Sequence, residues 1–193
     1  MRRLADTAAH NVLVGQMCFV FFSFVCFALD PEAFWLNAPL SYYGTQLTTI
    51  IPAILGIATT VFFLLRGASK IRNKRLKLLQ FFLRATALLL LALLFSPYTI
   101  NYTFWITHMT ISFLLLAVVV AGSSHVLFAL DKRPLSIFLA FSVLLSGVSV
   151  TLCVFQVIHV AALTELLFSS SFNLLFFNTL KDAEAHKLIT EEL

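Results

Sequence analysis

Apolar residues run through this chain in stretches long enough to cross a bilayer, with short polar breaks between them. A hydrocarbon layer about 30 Å thick requires about 20 apolar residues in an α-helix. Stretches 12–29, 47–65, 78–96, 104–130, 135–155 and 157–177 meet that requirement. They predict an all-α fold: a polytopic membrane bundle of six transmembrane helices, forming one domain over 1–193. The fourth stretch exceeds what a bilayer needs, which predicts tilt or an extension beyond the membrane. The fifth and sixth nearly abut, which predicts a tight helical hairpin. Met1-Arg2-Arg3 before an apolar run imitates the start of a signal peptide. No small-x-small cleavage site precedes Asp30, so the first stretch reads as a retained span.

Composition rules out a water-exposed globule. Of 193 residues, 60% are hydrophobic and 11% charged, whereas soluble domains carry about 25% charged residues. The three cysteines, Cys18, Cys26 and Cys153, all lie within apolar runs, which excludes a disulfide framework and makes them small apolar filler. The formal charge of +4 gathers in short loops rather than in a nucleic-acid patch.

Lys and Arg set the orientation, because short cytoplasmic loops retain them. With the N-terminus inside, the inner segments hold Arg2, Arg3, the cluster from Arg66 to Lys77, Lys132, Arg133, Lys181 and Lys187, and Arg84 snorkels to the same surface. All thirteen basic residues are then inside. The outer loops hold only Asp30 and Glu32. Both termini are therefore expected in the cytoplasm, in a plasma or bacterial inner membrane. Trp35, Tyr42, Tyr43, Tyr98, Tyr102 and Trp105 all fall at the outer face, as an interfacial belt requires. The basic cluster at 66–77 is an inside anchor that also attracts anionic headgroups. The charged tail from Lys181 onward reads as a short solvated helix.

Ionisable groups inside a membrane are costly and mark places where chemistry happens. Glu165 lies in the sixth stretch, and Ser169 and Asn173 follow on the same helix face. His108 enters the fourth stretch from the outer side, and His159 opens the sixth. A bundle that joins these two spans sets His108 and Glu165 at similar depth, where they can pair. The alternative is a structural Glu bonded to a neighbouring helix. Ser142, Ser146, Ser149, Cys153 and Gln156, and likewise Thr45, Thr48, Pro52, Gly56 and Thr59, form small and polar seams. Close helix packing explains such seams, and lining a polar cavity is the other reading.

His108 and His159 toward one end, with His10 and His125 toward the other, is the layering that two bis-histidine haems need. Because His10 and His159 sit at or beyond the membrane boundary, no cofactor is expected. Neither a paired metal-ligand motif nor a nucleophile constellation points to an enzyme. Asn101-Tyr102-Thr103 matches a glycosylation sequon in a loop too short to serve as one.

Pro39-Leu40-Ser41-Tyr42-Tyr43-Gly44, together with Glu165 and the downstream Asn173, resembles the six-span family of the post-attachment factor for glycosylphosphatidylinositol anchors and the damage-regulated autophagy modulators. It is also similar to a related bacterial six-span domain of unknown function. Members carry a Pro-x-Ser-x-x-Gly element in the first outer loop and an acidic residue in the last span. The resemblance covers most of the chain in layout but only Pro39, Ser41, Gly44 and Glu165 in residues. It implies a lipid-associated role with no catalytic machinery.

The sequence thus points to a small membrane protein that handles a lipid or polar headgroup in an outward-facing pocket. Glu165, His108, Ser169, Asn173, His159, Ser41, Tyr42 and Trp35 are the candidate contacts, the last three in the loop from Trp35 to Gly44 that would form the roof. A proton- or cation-coupled transporter using Glu165 is one alternative. A non-catalytic subunit docked on a membrane-protein partner, or a homo-oligomer, is another.

Overall fold

The computed structural model describes residues 7–36, 38–72, 74–97, 99–131, 133–154 and 161–185. Its long helices are α1 (Ala8–Leu29), α4 (Ile50–Lys70), α5 (Lys77–Leu94), α6 (Tyr102–His125), α7 (Pro134–Val154) and α8 (Ala161–Ala185). Two short helices, α2 (Pro31–Trp35) and α3 (Leu40–Tyr43), join α1 to α4. Among the described residues there is no strand. Among the described residues, five helical segments are long and apolar enough to cross a membrane: α1, α4, α5 with its preceding turn, α6 with its extension, and α7. The sixth long helix, α8, is more polar, carrying Glu165, Asn173, Asn178 and three charged residues near its end. The start of the sixth predicted stretch and the expected hairpin turn lie outside the described residues.

Local chemistry sets the helix ends. Thr7 Oγ1 accepts the His10 N–H at 3.2 Å and opens α1. Asp30 ends α1 and caps α2, accepting the Ala33 N–H at 3.1 Å, with Pro31 at the first helical position. Asn101, the sequon residue, caps α6 by accepting the Phe104 N–H at 3.0 Å. The far end of α6 loosens into a π-helical turn, Val126–Leu130, which accounts for the extra length of the fourth stretch.

The six long helices pack in the order α1, α4, α5, α6, α7, α8 and back to α1, with α6 and α7 touching least. One end of the bundle gathers the basic residues. Trp35, the Tyr pair and Trp105 gather at the other. The basic half is solid: Val12, Leu64, Leu79, Leu83, Leu175, Phe176 and Leu180 are buried there. Gly122 lets α6 meet this core, since a Cβ there would lie 3.1 Å from both the Phe82 and Phe176 rings. Between α1 and α4, a Cβ on Gly56 would lie 2.9 Å from Phe22 Cβ, and one on Gly67 3.2 Å from the Ala8 carbonyl. Small residues matter here because lipid offers no hydrophobic drive for helix association; close contact does the work.

The structure revises three sequence expectations. Helix α1 starts at Ala8, and Ala8, Ala9 and Asn11 are all buried. Thr45 and Thr48 precede α4 rather than belonging to a seam along it. The segment from Lys181 to Ala185 is no separate solvated helix: it continues α8, with Leu180 and Ala183 buried and Glu184 Oε1 accepting the Ala9 N–H at 3.0 Å.

Candidate functional site

The aromatic half of the bundle is hollow. A partly open cavity of about 230 Å³ lies there, bordered by all six long helices and by α3. Phe19, Phe22 and Ser23 face it from α1, Pro52 and Gly56 from α4, and Leu90 and Leu93 from α5. His108 and Ser112 come from α6, Val150 from α7, and Glu165, Phe168 and Ser169 from α8. Leu40, Ser41, Tyr43 and Gly44 form the roof. The walls are mostly apolar with a few convergent polar groups, the usual make-up of a small-molecule site.

Glu165 sits in the second turn of α8. The backbone N–H of Leu40 donates to its Oε2 at 2.7 Å, so the carboxyl caps the first turn of α3. His108 is buried, and its Nδ1 lies 2.7 Å from the Ser96 carbonyl. A carbonyl can only accept, so that nitrogen carries the proton. Both residues line one cavity, and each has a backbone partner: Glu165 in the roof, His108 at the end of α5.

The other candidates divide. Ser41 and Ser169 line the cavity. Asn173 lies deeper and is not on its wall: its Nδ2 donates to Gln16 Oε1 at 2.6 Å, and Gln16 Nε2 donates to Ser170 Oγ at 2.8 Å. Tyr42 is half-buried and meets Tyr43 edge-on at 5.7 Å, outside the lining. Trp35 is 78% exposed, a rim residue stacked edge-on against Phe34 rather than a roof. His159 lies outside the described residues, as do Gln156, Tyr98, Lys132 and the terminal Arg2, Arg3 and Lys187. The α7 seam follows the packing reading. Ser146 and Ser149 donate to carbonyls of their own helix, and Gly147 approaches Leu116 and Phe168.

Tyr43, one of the outer-face rings within the expected roof loop, is the most deeply buried member of the roof at 1% exposure. Burial, then the nearby Asp30 carboxylate, pushes its phenol up to about 12. The Tyr43 carbonyl accepts the Thr49 hydroxyl at 2.7 Å, fixing the roof to the start of α4. At the basic end, Asp131 was passed over. It accepts Arg133 Nε at 2.9 Å and the Ser136 hydroxyl at 2.6 Å, while Arg133 reaches on to Asp182 of α8. The Arg133 guanidinium holds the Asp131 carboxyl down to about 2. The pairing raises the Arg133 pKa in turn. Among the described residues, no group of three or more His, Cys, Asp or Glu is placed to hold a metal ion.

By architecture the chain belongs to the broad class of all-α helical bundles whose apolar helices fit a membrane. It matches no family model, and comparison with curated proteins and with solved structures finds no relative.

Proposed function

We propose that this chain is a six-span integral membrane protein, with its basic end and both termini in the cytoplasm, that binds a lipid-like amphiphile in the cavity at its aromatic end. Helix α8 is the sixth span in this reading, its polar residues turned onto α1 and the cavity. The observation that carries the reading is the cavity itself: apolar walls from six helices converging, among the described residues, on a single carboxyl group, Glu165. The likeness of 39–44 and Glu165 to a family with lipid-associated roles points the same way. The basic segment 66–77 attracts anionic headgroups at the cytoplasmic surface, at about 1 kcal/mol per charge.

A proton- or cation-coupled transporter needs a polar route past Glu165 to the basic end. Phe82, Phe172 and Phe176 fill that half, which favours a binding pocket over a path. A non-catalytic subunit remains the reading to adopt if a partner co-purifies in place of a lipid.

Native mass spectrometry of the gently purified protein tests the proposal. The expected result is a bound lipid mass that is lost when Ser112, on the cavity wall, is replaced by Phe. An adduct-free wild type, or an adduct that a folded Ser112→Phe variant retains, would overturn it.

A further inference from the structure

Several polar groups on the cavity wall have their protons committed to backbone carbonyls, whereas the buried Tyr43 hydroxyl has no hydrogen-bond partner among the described residues. The hydroxyl of Ser23 donates to the Phe19 carbonyl at 2.9 Å, and that of Ser169 to the Leu166 carbonyl at 3.1 Å. The hydroxyl of Thr45 donates to the Tyr42 carbonyl at 2.7 Å. With their protons so committed, the Ser23 and Ser169 oxygens keep lone pairs to accept with, while Thr45 Oγ1 already accepts the Gln46 amide N–H at 3.2 Å. His108 commits its Nδ1–H to Ser96. Glu165 receives the Leu40 N–H on Oε2, and its Oε1 makes no hydrogen bond among the described residues. No Lys or Arg is among the described residues that line the cavity. The Glu165 carboxyl thus sits among mostly apolar walls with one backbone donor and no cation among the described lining residues.

Resting on the reading of the cavity as an amphiphile site, we infer that its ligand carries a primary ammonium head on an apolar chain. The ammonium brings three N–H donors and a positive charge. One donor meets Glu165 Oε1 in a charge-assisted bond, and Ser169 Oγ is the next acceptor, one turn along α8. The chain lies against Phe22, Leu93 and Phe168. An anionic head meets no Lys or Arg among the described lining residues. A hydroxyl head brings a single donor and no charge.

The test is a panel with one tail and three heads, decylamine, decanol and decanoate, titrated into purified protein at neutral pH. The amine is expected to bind about tenfold tighter than the alcohol, the decanoate weakest, and Glu165→Gln to abolish the amine's advantage. Equal binding of all three heads would overturn this inference while leaving the cavity reading intact. Binding of none would sink both. An amine preference that survives in Glu165→Gln also overturns it. If that variant does not fold, Glu165→Asp, which withdraws the carboxylate by one methylene, is expected to shrink the preference. A second arm compares nanodiscs of ethanolamine-headed and choline-headed phospholipid. Preference for the former, whose nitrogen keeps its N–H donors, assigns the ligand to the bilayer. Preference confined to decylamine assigns it to a free amphiphilic amine.

Discussion

The backbone N–H of Leu40 donates to Glu165 Oε2 at 2.7 Å across 125 positions of the chain. This bond ties the roof segment to α8, and α8 repeats the device at its other end, where Glu184 accepts the Ala9 N–H at 3.0 Å. Between them, Asn173 and Ser170 clasp Gln16. Lipid offers no hydrophobic drive for helix association, so these directional polar contacts act with close packing to set the register of α8 on α1.

Replacing Glu165 therefore has a structural consequence separate from ligand binding. Glu165→Leu leaves the Leu40 N–H without its acceptor and is expected to cost about 1–3 kcal/mol. Glu165→Gln keeps an acceptor oxygen and is expected to cost less. Thermal unfolding in detergent ranks the two. Equal melting temperatures for Leu and Gln variants would mean that the bond contributes nothing.

The Gln16–Asn173 bond calls for a double-mutant cycle. Gln16→Leu leaves Asn173 Nδ2 without its acceptor and Asn173→Leu leaves Gln16 Oε1 without its donor, and each is expected to destabilise by about 1 kcal/mol. The double variant should lose less than the sum, with a coupling of about 0.6 kcal/mol or more, in the range found between membrane helices. Additive losses would remove the clasp from the account.

These contacts also mark where the sequence was legible. Five spans could be read from apolar length alone, because lipid demands that length. The helix ends were harder. Ala8, Ala9 and Asn11, and likewise Leu180 and Ala183, sit in polar-looking segments that hydropathy assigns to water, yet each end is buried by another. Gln16 was silent because apolar neighbours on both sides hid it. Glu165 and His108 stood out in the sequence as costly residues at similar depth and Ser41 only through its loop, while Asn173, expected beside Glu165, lies off the cavity. The bond from Glu165 to a backbone N–H was not legible, since a main-chain donor leaves no trace in side-chain patterning. Asp131 was missed because orientation is read from Lys and Arg alone.

Two glycines should respond in opposite ways. A Cβ at Gly56 would lie 2.9 Å from Phe22 Cβ, which is fixed to the α1 backbone. Gly56→Ala is therefore expected to push α1 from α4 and cost about 1–3 kcal/mol. Gly44, the glycine of the roof element, has φ −72° and only the Ser41 carbonyl oxygen at 3.4 Å. Gly44→Ala is expected to be nearly neutral. Detergent melting curves compare them directly, and a Gly56→Ala variant as stable as wild type would contradict the packing described between α1 and α4.

Topology can be read with single cysteines in a background where Cys18, Cys26 and Cys153 are replaced by Ala. A cysteine at the exposed Ser69 is expected to stay hidden from an impermeant thiol reagent in intact cells. One at the exposed Thr103 is expected to label. Labelling at both positions, or at Ser69 alone, would refute the proposed orientation.

The clasp at the basic end gives the molecule an acid limit. Arg133 holds the Asp131 carboxyl down to about 2, against 3.8 for a free one. A carboxyl whose folded pKa is depressed lends stability that is fully present above its unfolded value and lost as pH falls through the folded one. The contribution therefore stands above about pH 4 and fades toward pH 2. Arg133 is 47% exposed, so solvent screening holds it to about 1 kcal/mol. Melting temperature followed from pH 6 to pH 2 is expected to fall in that window for wild type. In Asp131→Asn the curve should start lower and run flatter, because the group that titrates is gone. Parallel curves for the two proteins would show that the acid limit arises elsewhere.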